Sequence, residues 1–247
     1  MNAKINKRQS IRRALILLSL LLFPVVLNYL SPYVIIDGAM NGVINGSFLM
    51  FGLLFISSLF LGRAWCGWAC PAAGLTEACI AVNNKPAKAG WRNYIKWGIW
   101  VVWLSLIVFI AISNGGYTRV DPFYLTDHGI SVTAWQNYII YYGVIGLAVV
   151  LSFTAGKRAF CHYVCWMAPF MILGRKLRNL LHTPALHLQA ETPACKQCST
   201  CDRACPMSLP VSDMVQKGKM ENSECILCGN CVDGCPSKVI SYTFNSK

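Results

Sequence analysis

The chain has 247 residues, of which 55% are hydrophobic and only 13% charged, with a mean hydropathy of +0.46. A soluble globular domain carries about 25% charged residues, so composition argues against a purely soluble fold. The formal charge of +12 does not point to nucleic acid: residues 190–247 hold six basic and six acidic groups, and the excess lies in short segments beside apolar stretches.

Four apolar stretches approach the roughly 20 residues that a helix needs to cross a bilayer. They run from about Ala14 to Tyr33, Val43 to Leu61, Tyr94 to Ile112 and Trp135 to Phe153. Trp65, Trp91, Trp97 and Trp135 flank them, as interfacial tryptophans do. Lys96 is expected to snorkel from the end of the third stretch. Pro24 and Asn28 in the first are tolerable where neighbouring helices satisfy the freed backbone groups.

The basic segments (Lys4 to Arg13, Arg63, Lys85 to Lys96, Lys157 to Arg178) fall on one side of a four-span layout. The opposite loops, about 34–42 and 113–134, carry Arg119 as their single basic residue. The positive-inside rule then places both termini in the cytoplasm of a prokaryotic cell membrane. The N-terminal apolar segment is long for a signal core and no clear small-x-small site follows, so it reads as a retained anchor. Asp37, Asp121, Asp127 and His128 in the outer loops are candidate proton acceptors, although solvated loop groups look the same.

The second and fourth stretches end in related sequences. Gly62-Arg-Ala-Trp-Cys66-Gly-Trp-Ala-Cys70 matches Lys157-Arg-Ala-Phe-Cys161-His-Tyr-Val-Cys165 at an offset of 95 residues, aligning Arg63 with Arg158. The membrane domain is therefore expected to be two repeated hairpins in the same orientation, related by an axis along the membrane normal. On a helix, positions i and i+4 share a face, so the two pairs could present four sulfurs together. Cys66, Cys70, Cys161 and Cys165 then read as a thiolate metal or cluster site, as a redox dithiol, or as small buried packers. Cys79 has no counterpart and reads as a packer. Cys161-His162-x-x-Cys165 is not the haem-attachment order.

Residues 166–190 form a linker whose first part mixes apolar residues with Arg175, Lys176 and Arg178. It is expected to lie as an amphipathic helix on the membrane surface, with His182 and His187 solvated around Pro184. Eight of the thirteen cysteines occupy the last 53 residues, in one pattern written twice. Cys195-x2-Cys198-x2-Cys201-x3-Cys205-Pro206 is followed by Cys225-x2-Cys228-x2-Cys231-x3-Cys235-Pro236. Three thiolates at these gaps surround one [4Fe–4S] cluster, and the fourth reaches the other. The expected sets are Cys195, Cys198, Cys201 and Cys235 for one cluster, and Cys205, Cys225, Cys228 and Cys231 for the second. The anticipated organisation is a basic N-terminus (1–13), an α-helical four-span membrane domain (14–165), the linker (166–190) and a two-cluster ferredoxin-like α+β domain (191–247).

Taken together, these motifs resemble the NapH/NosR-type membrane ferredoxins, in the shorter NapH-like form. Two departures stand out: Cys165 is followed by Trp166 rather than proline, and no large extracytoplasmic flavin domain is present. The resemblance implies electron transfer between the membrane quinone pool and a partner reductase, including quinol dehydrogenase activity, with membrane lipid and a redox protein as partners and no nucleic acid. A related branch, the CcoG-type proteins, implies a rival role in reducing or handling a metal, with Cys66, Cys70, Cys161 and Cys165 as its ligands.

Overall fold

The structure, a computed structural model, describes residues 6–246. Helix α1 (Lys7–Leu21) starts at Asn6, whose side chain accepts from the Arg8 amide at 3.1 Å, and ends at Leu22. A short α2 (Phe23–Val26), a 3-10 turn (Asn28–Leu30) and α3 (Pro32–Met40) follow. The stretch 14–33 is thus not the single helix expected. Pro24 has no N–H to donate and its ring clashes with the carbonyl four residues back. The loop around Ser131 satisfies the groups released: Ser131 N donates to Val25 O at 3.1 Å, Val132 N to Pro24 O at 3.1 Å, and Asn28 N to Ser131 Oγ at 2.9 Å.

Strand β1 (Val43–Asn45) leads into α4 (Gly46–Leu61), with buried Asn45 as the cap, accepting from Phe48 N at 2.9 Å. At 1.5 Å per residue, α4 is about 24 Å long, short of a bilayer's hydrocarbon core. Two short helices, α5 (Ala64–Trp68) and α6 (Pro71–Ile80), complete the first half.

Helix α7 (Ile95–Ser113) follows, then β2 (Arg119–Asp121), which pairs in parallel with β1, and α8 (Trp135–Ala155). Counted with its leading turn as Trp91–Ser113, the first of these helices and α8 are long and apolar enough to cross a membrane. Only 17% and 11% of their most apolar windows are buried, so both turn apolar surface outward, unlike the core helices of a soluble protein. Among the described residues, two helices rather than four meet that length and hydropathy.

The second half repeats the first. Helices α9 (Ala159–Tyr163) and α10 (Ala168–Leu181) stand to α8 as α5 and α6 stand to α4. The halves interlock, α10 packing on α4 and α6 on α8. Gly174 lets α10 close on α4, since a Cβ there would overlap Ser58 Oγ and lie 2.8 Å from Phe55 O. Helix α10 is therefore wedged between two layers, not simply laid on a surface. Its buried Arg175 donates to Glu221 at 2.5 Å and to Cys225 O at 3.0 Å.

Strand β3 (Ala185–Ala190) takes up the last residues of the anticipated linker. It pairs antiparallel with β4 (Ile240–Asn245), closing the C-terminal unit around α11 (Thr200–Ala204), α12 (Val211–Gln216) and α13 (Asn230–Asp233). His187 is consequently buried in the sheet, its Nδ1 2.9 Å from Ala185 O, instead of solvated. One apolar core runs without interruption from Ile16 and Phe51 through the paired cysteines to Ile226 and Ile240.

Candidate functional site

Each ferredoxin-type loop curls through left-handed backbone at matched positions. Gln197 and Leu227 have φ of 53° and 51°, Ser199 and Gly229 have 52° and 78°, and Ser208 and Lys238 have 51° and 52°. Such a conformation costs a non-glycine residue about 1–2 kcal/mol, and strain of this kind persists where the surroundings require it. Here it turns the cysteines inward. Cys205, Cys225, Cys228 and Cys231 line one small cavity with Leu188, Met207, Met214 and Ile226. Cys195, Cys198, Cys201 and Cys235 line another, with Val215, Val239 and Ile240. Four converging thiols with apolar walls fit an iron–sulfur cubane in each.

The two cavities differ in setting. Cys198 is exposed, whereas Cys205, Cys228 and Cys231 are buried. Burial pushes the Cys228 thiol up to about 12 and Cys231 higher. Such thiols become ligands only with a bound positive core that favours the thiolate.

The buried loop lies directly on α5, at the end of the helical unit. Gly67, next to Cys66, meets it backbone to backbone: a Cβ there would overlap Ile226 O and lie 3.4 Å from Cys228 Cα. Trp68 Nε1 donates to Leu227 O at 3.0 Å, and Gln9 Nε2 to Cys228 O at 3.0 Å.

Cys66, Cys70, Cys161 and Cys165 are all buried and share one core. Burial and then the neighbouring charges of Cys66, Cys161 and Cys165 drive the Cys70 thiol well up, while burial takes Cys165 to about 12. The structure therefore brings together the four sulfurs that the repeat suggested. Cys79 stands apart, beside Ser152.

Two buried ion-pair triads surround this quartet. Glu77 joins Arg12, at 2.8 Å, to Arg158; Arg12 also donates to Gly67 O at 3.1 Å and Arg158 to Cys66 O at 2.9 Å. Glu224, on the ferredoxin-type loop, joins Arg63 at 2.8 Å to Lys96 at 2.5 Å. Lys96 is therefore buried in an ion pair and does not snorkel. Burial alone would raise the Glu224 carboxyl, but Arg63 and Lys96 outweigh it and hold the group down to about 2. The same balance, with Arg158 and Arg12, depresses Glu77. His162 stays neutral, its pKa lowered to about 4 by burial, with Nε2 3.0 Å from Met207 O.

Sequence reasoning missed both glutamates. One signal was available for Glu77: it is the sole acidic residue between Asp37 and Asp121, and an ionisable group in an apolar stretch is suspicious by default.

Beside the quartet lies an apolar cavity of about 650 Å³, walled by Leu18, Leu22, Leu49, Leu53, Trp65 and Trp68, with Ala69 and Pro71 flanking Cys70. Trp65 Nε1 is buried without a hydrogen-bond partner among the described residues.

Comparison with known proteins bears on this arrangement. The profile of the "4Fe-4S dicluster domain" family matches residues 194–240, and that of the "4Fe-4S binding domain" family matches twice, over 46–83 and 137–184. The chain belongs to the ferredoxin-type 4Fe-4S binding proteins of the NapH/FixG-like group. The double match coincides with the two interlocked halves, and the family is one of iron–sulfur electron-transport proteins. Relatives include the putative electron transport protein YccM of Escherichia coli, 25% identical over 83% of this chain and 57% of its own length. The ferredoxin-type methylamine utilization protein MauN of Methylorubrum extorquens is 23% identical over 90% of this chain and 77% of its own. The nitrogen fixation protein FixG of Rhizobium meliloti is 25% identical over 75% of this chain and 39% of its own. The chain thus spans little more than half of YccM and less than half of FixG. No solved structure matches it.

Proposed function

We propose that this family member is a membrane-anchored electron carrier that relays electrons between the quinone pool and a partner reductase, with its eight C-terminal cysteines holding two [4Fe–4S] clusters. When bound, such clusters supply one-electron transfer at a potential set by charge, hydrogen bonds and exposure. The observation that carries the reading is the backbone contact between Gly67 and the Cys228 loop. It couples one ligand loop to the membrane-edge cysteines, while the exposed Cys198 leaves the other ligand set accessible to a soluble partner.

The outward apolar faces of α7 and α8 support anchoring in lipid. The cavity beside Cys70 suits a quinone headgroup. It has the volume of a small-molecule site, about 300–1,000 Å³, apolar walls for an isoprenoid tail, and in Trp65 a buried N–H that lacks an acceptor. A quinone carbonyl is such an acceptor.

The test is to purify the protein anaerobically, add a reduced quinol analogue and follow the cluster EPR signals. Reduction within the mixing time supports the relay. Clusters that dithionite reduces and quinol does not would overturn quinol oxidation and leave a cytoplasmic donor or the metal-reducing role.

A further inference from the structure

The family match leaves the two halves of the membrane domain incomplete as cluster sites. Residues 46–83 contain Cys66, Cys70 and Cys79, and residues 137–184 contain only Cys161 and Cys165. Neither half supplies four thiols, but their interlocking assembles four at one place.

We propose that Cys66, Cys70, Cys161 and Cys165 together hold one further [4Fe–4S] cluster, shared between the repeats, with Arg63 and Arg158 as the buried donors that balance its charge. Two features of the chain support this.

The first is the pair of arginines, which occupy equivalent places in the two repeats and are both 0% exposed. Arg63 Nε and Nη2 and Arg158 Nε have no hydrogen-bond partner among the described residues. Buried polar groups are nearly always paired, and a guanidinium cannot relieve the cost by deprotonating. Both arginines sit within electrostatic reach of the quartet: Arg63 of Cys66 and Cys165, and Arg158 of Cys161 as well as of Cys228 in the neighbouring ligand set. The unused donors therefore call for an anion at the quartet.

The second is net charge. Arg12, Arg63, Lys96 and Arg158 are buried against only two carboxylates, Glu77 and Glu224. Four cations and two anions leave an excess of two positive charges, costly in a low-dielectric interior. A [4Fe–4S]²⁺ core with four thiolates carries two negative charges and offsets an excess that Arg12 and Arg158 also direct at Cys228 in the neighbouring ligand set. A single Zn²⁺ with four thiolates carries the same charge, so charge alone does not choose between them.

Four thiolates suit zinc and an iron–sulfur core alike, and the metal and sulfide counts below separate the two.

The inference rests on the iron–sulfur reading but not on quinone as substrate, and its test needs no quinol. The full chain is purified anaerobically, and iron, acid-labile sulfide, zinc and copper are counted per chain. About twelve iron and twelve sulfide, three cubanes rather than two, are expected. Cys79→Ser should keep that count, and Cys66→Ser or Cys161→Ser should lower it to about eight. Arg158→Gln keeps all four ligands, and the quartet centre and the Cys228 centre, both of which Arg158 faces, should become harder to reduce while the Cys195–Cys201 centre holds its potential.

About eight iron in the wild type, with the quartet thiols free to alkylation after denaturation or carrying one zinc or copper, would overturn the cluster. An unchanged set of potentials in Arg158→Gln would overturn the role of the arginine. The wild-type count decides the first point even where a ligand variant does not fold.

Discussion

Glu224 is the carboxylate that the buried cations Arg63 and Lys96 share, and its loss should loosen the ferredoxin-type loop from the helical unit before it. In Glu224→Gln, Arg63 and Lys96 stay buried with side chains 0% exposed, and Arg63 keeps only its bond to Ser223 O at 3.1 Å. Removing one partner of a buried ion pair costs about 3–5 kcal/mol, mostly because the remaining charge is stranded. The retained carbonyl contact and the partial exposure of Glu224 put the expected cost at the lower end, about 3 kcal/mol. At 1.4 kcal/mol per decade this is roughly a hundredfold rise in local opening. Hydrogen–deuterium exchange of the amides at 223–229 in detergent or nanodiscs reads that opening directly. Exchange should accelerate on the order of 10²-fold there, with α7 and α8 unaffected. Replacing the stranded arginine as well, in Glu224→Gln with Arg63→Met, should recover part of the loss, since well-packed apolar groups can substitute for a buried pair. Exchange changed by less than threefold in the single variant would refute the reasoning: apolar packing around Leu227 would then hold the loop without the charges.

Gly67→Ala should push the loops apart, because the added methyl overlaps Ile226 O against rigid backbone. On the proposed relay, we expect slower reduction of the C-terminal clusters by a quinol analogue at unchanged cluster content, by stopped-flow absorbance. Trp65→Phe removes the unpaired indole N–H while keeping an apolar wall, and should raise the KM for a quinol analogue severalfold with little change in kcat. The folded-state pKa of Glu77 lies below its ordinary value of 4.5, so its stabilising effect is complete above that pH and is lost as pH falls through the depressed value. Below pH 4.5 the wild type should therefore lose Tm more steeply than Glu77→Gln, which starts lower but lacks this slope.

Much of the site is legible along the chain because its signals are local. Ligand spacing of two, two and three residues is a property of short loops, and it marked the eight C-terminal cysteines. The aligned Arg-Ala-aromatic-Cys-x3-Cys segments disclosed the repeat, since interlocked halves of one shape demand the same turn twice. Apolar length likewise marked α7 and α8. The break after α1 was foreshadowed by Pro24, but the loop that satisfies it, around Ser131, lies about a hundred residues away.

Charge partners were decided only by tertiary structure. Lys96 reads as a residue at a helix end, and nothing within reach along the chain would neutralise it; Glu224 arrives from 128 residues on. Arg12 and Arg158 meet through Glu77 only because α1, α6 and α9 converge. His187 reads as a linker residue until β4, more than fifty residues downstream, covers it. Periodicity and spacing report which face of a segment seeks an apolar or metal environment. Which distant charge will neutralise a buried one depends on how the segments pack, and no local pattern encodes it.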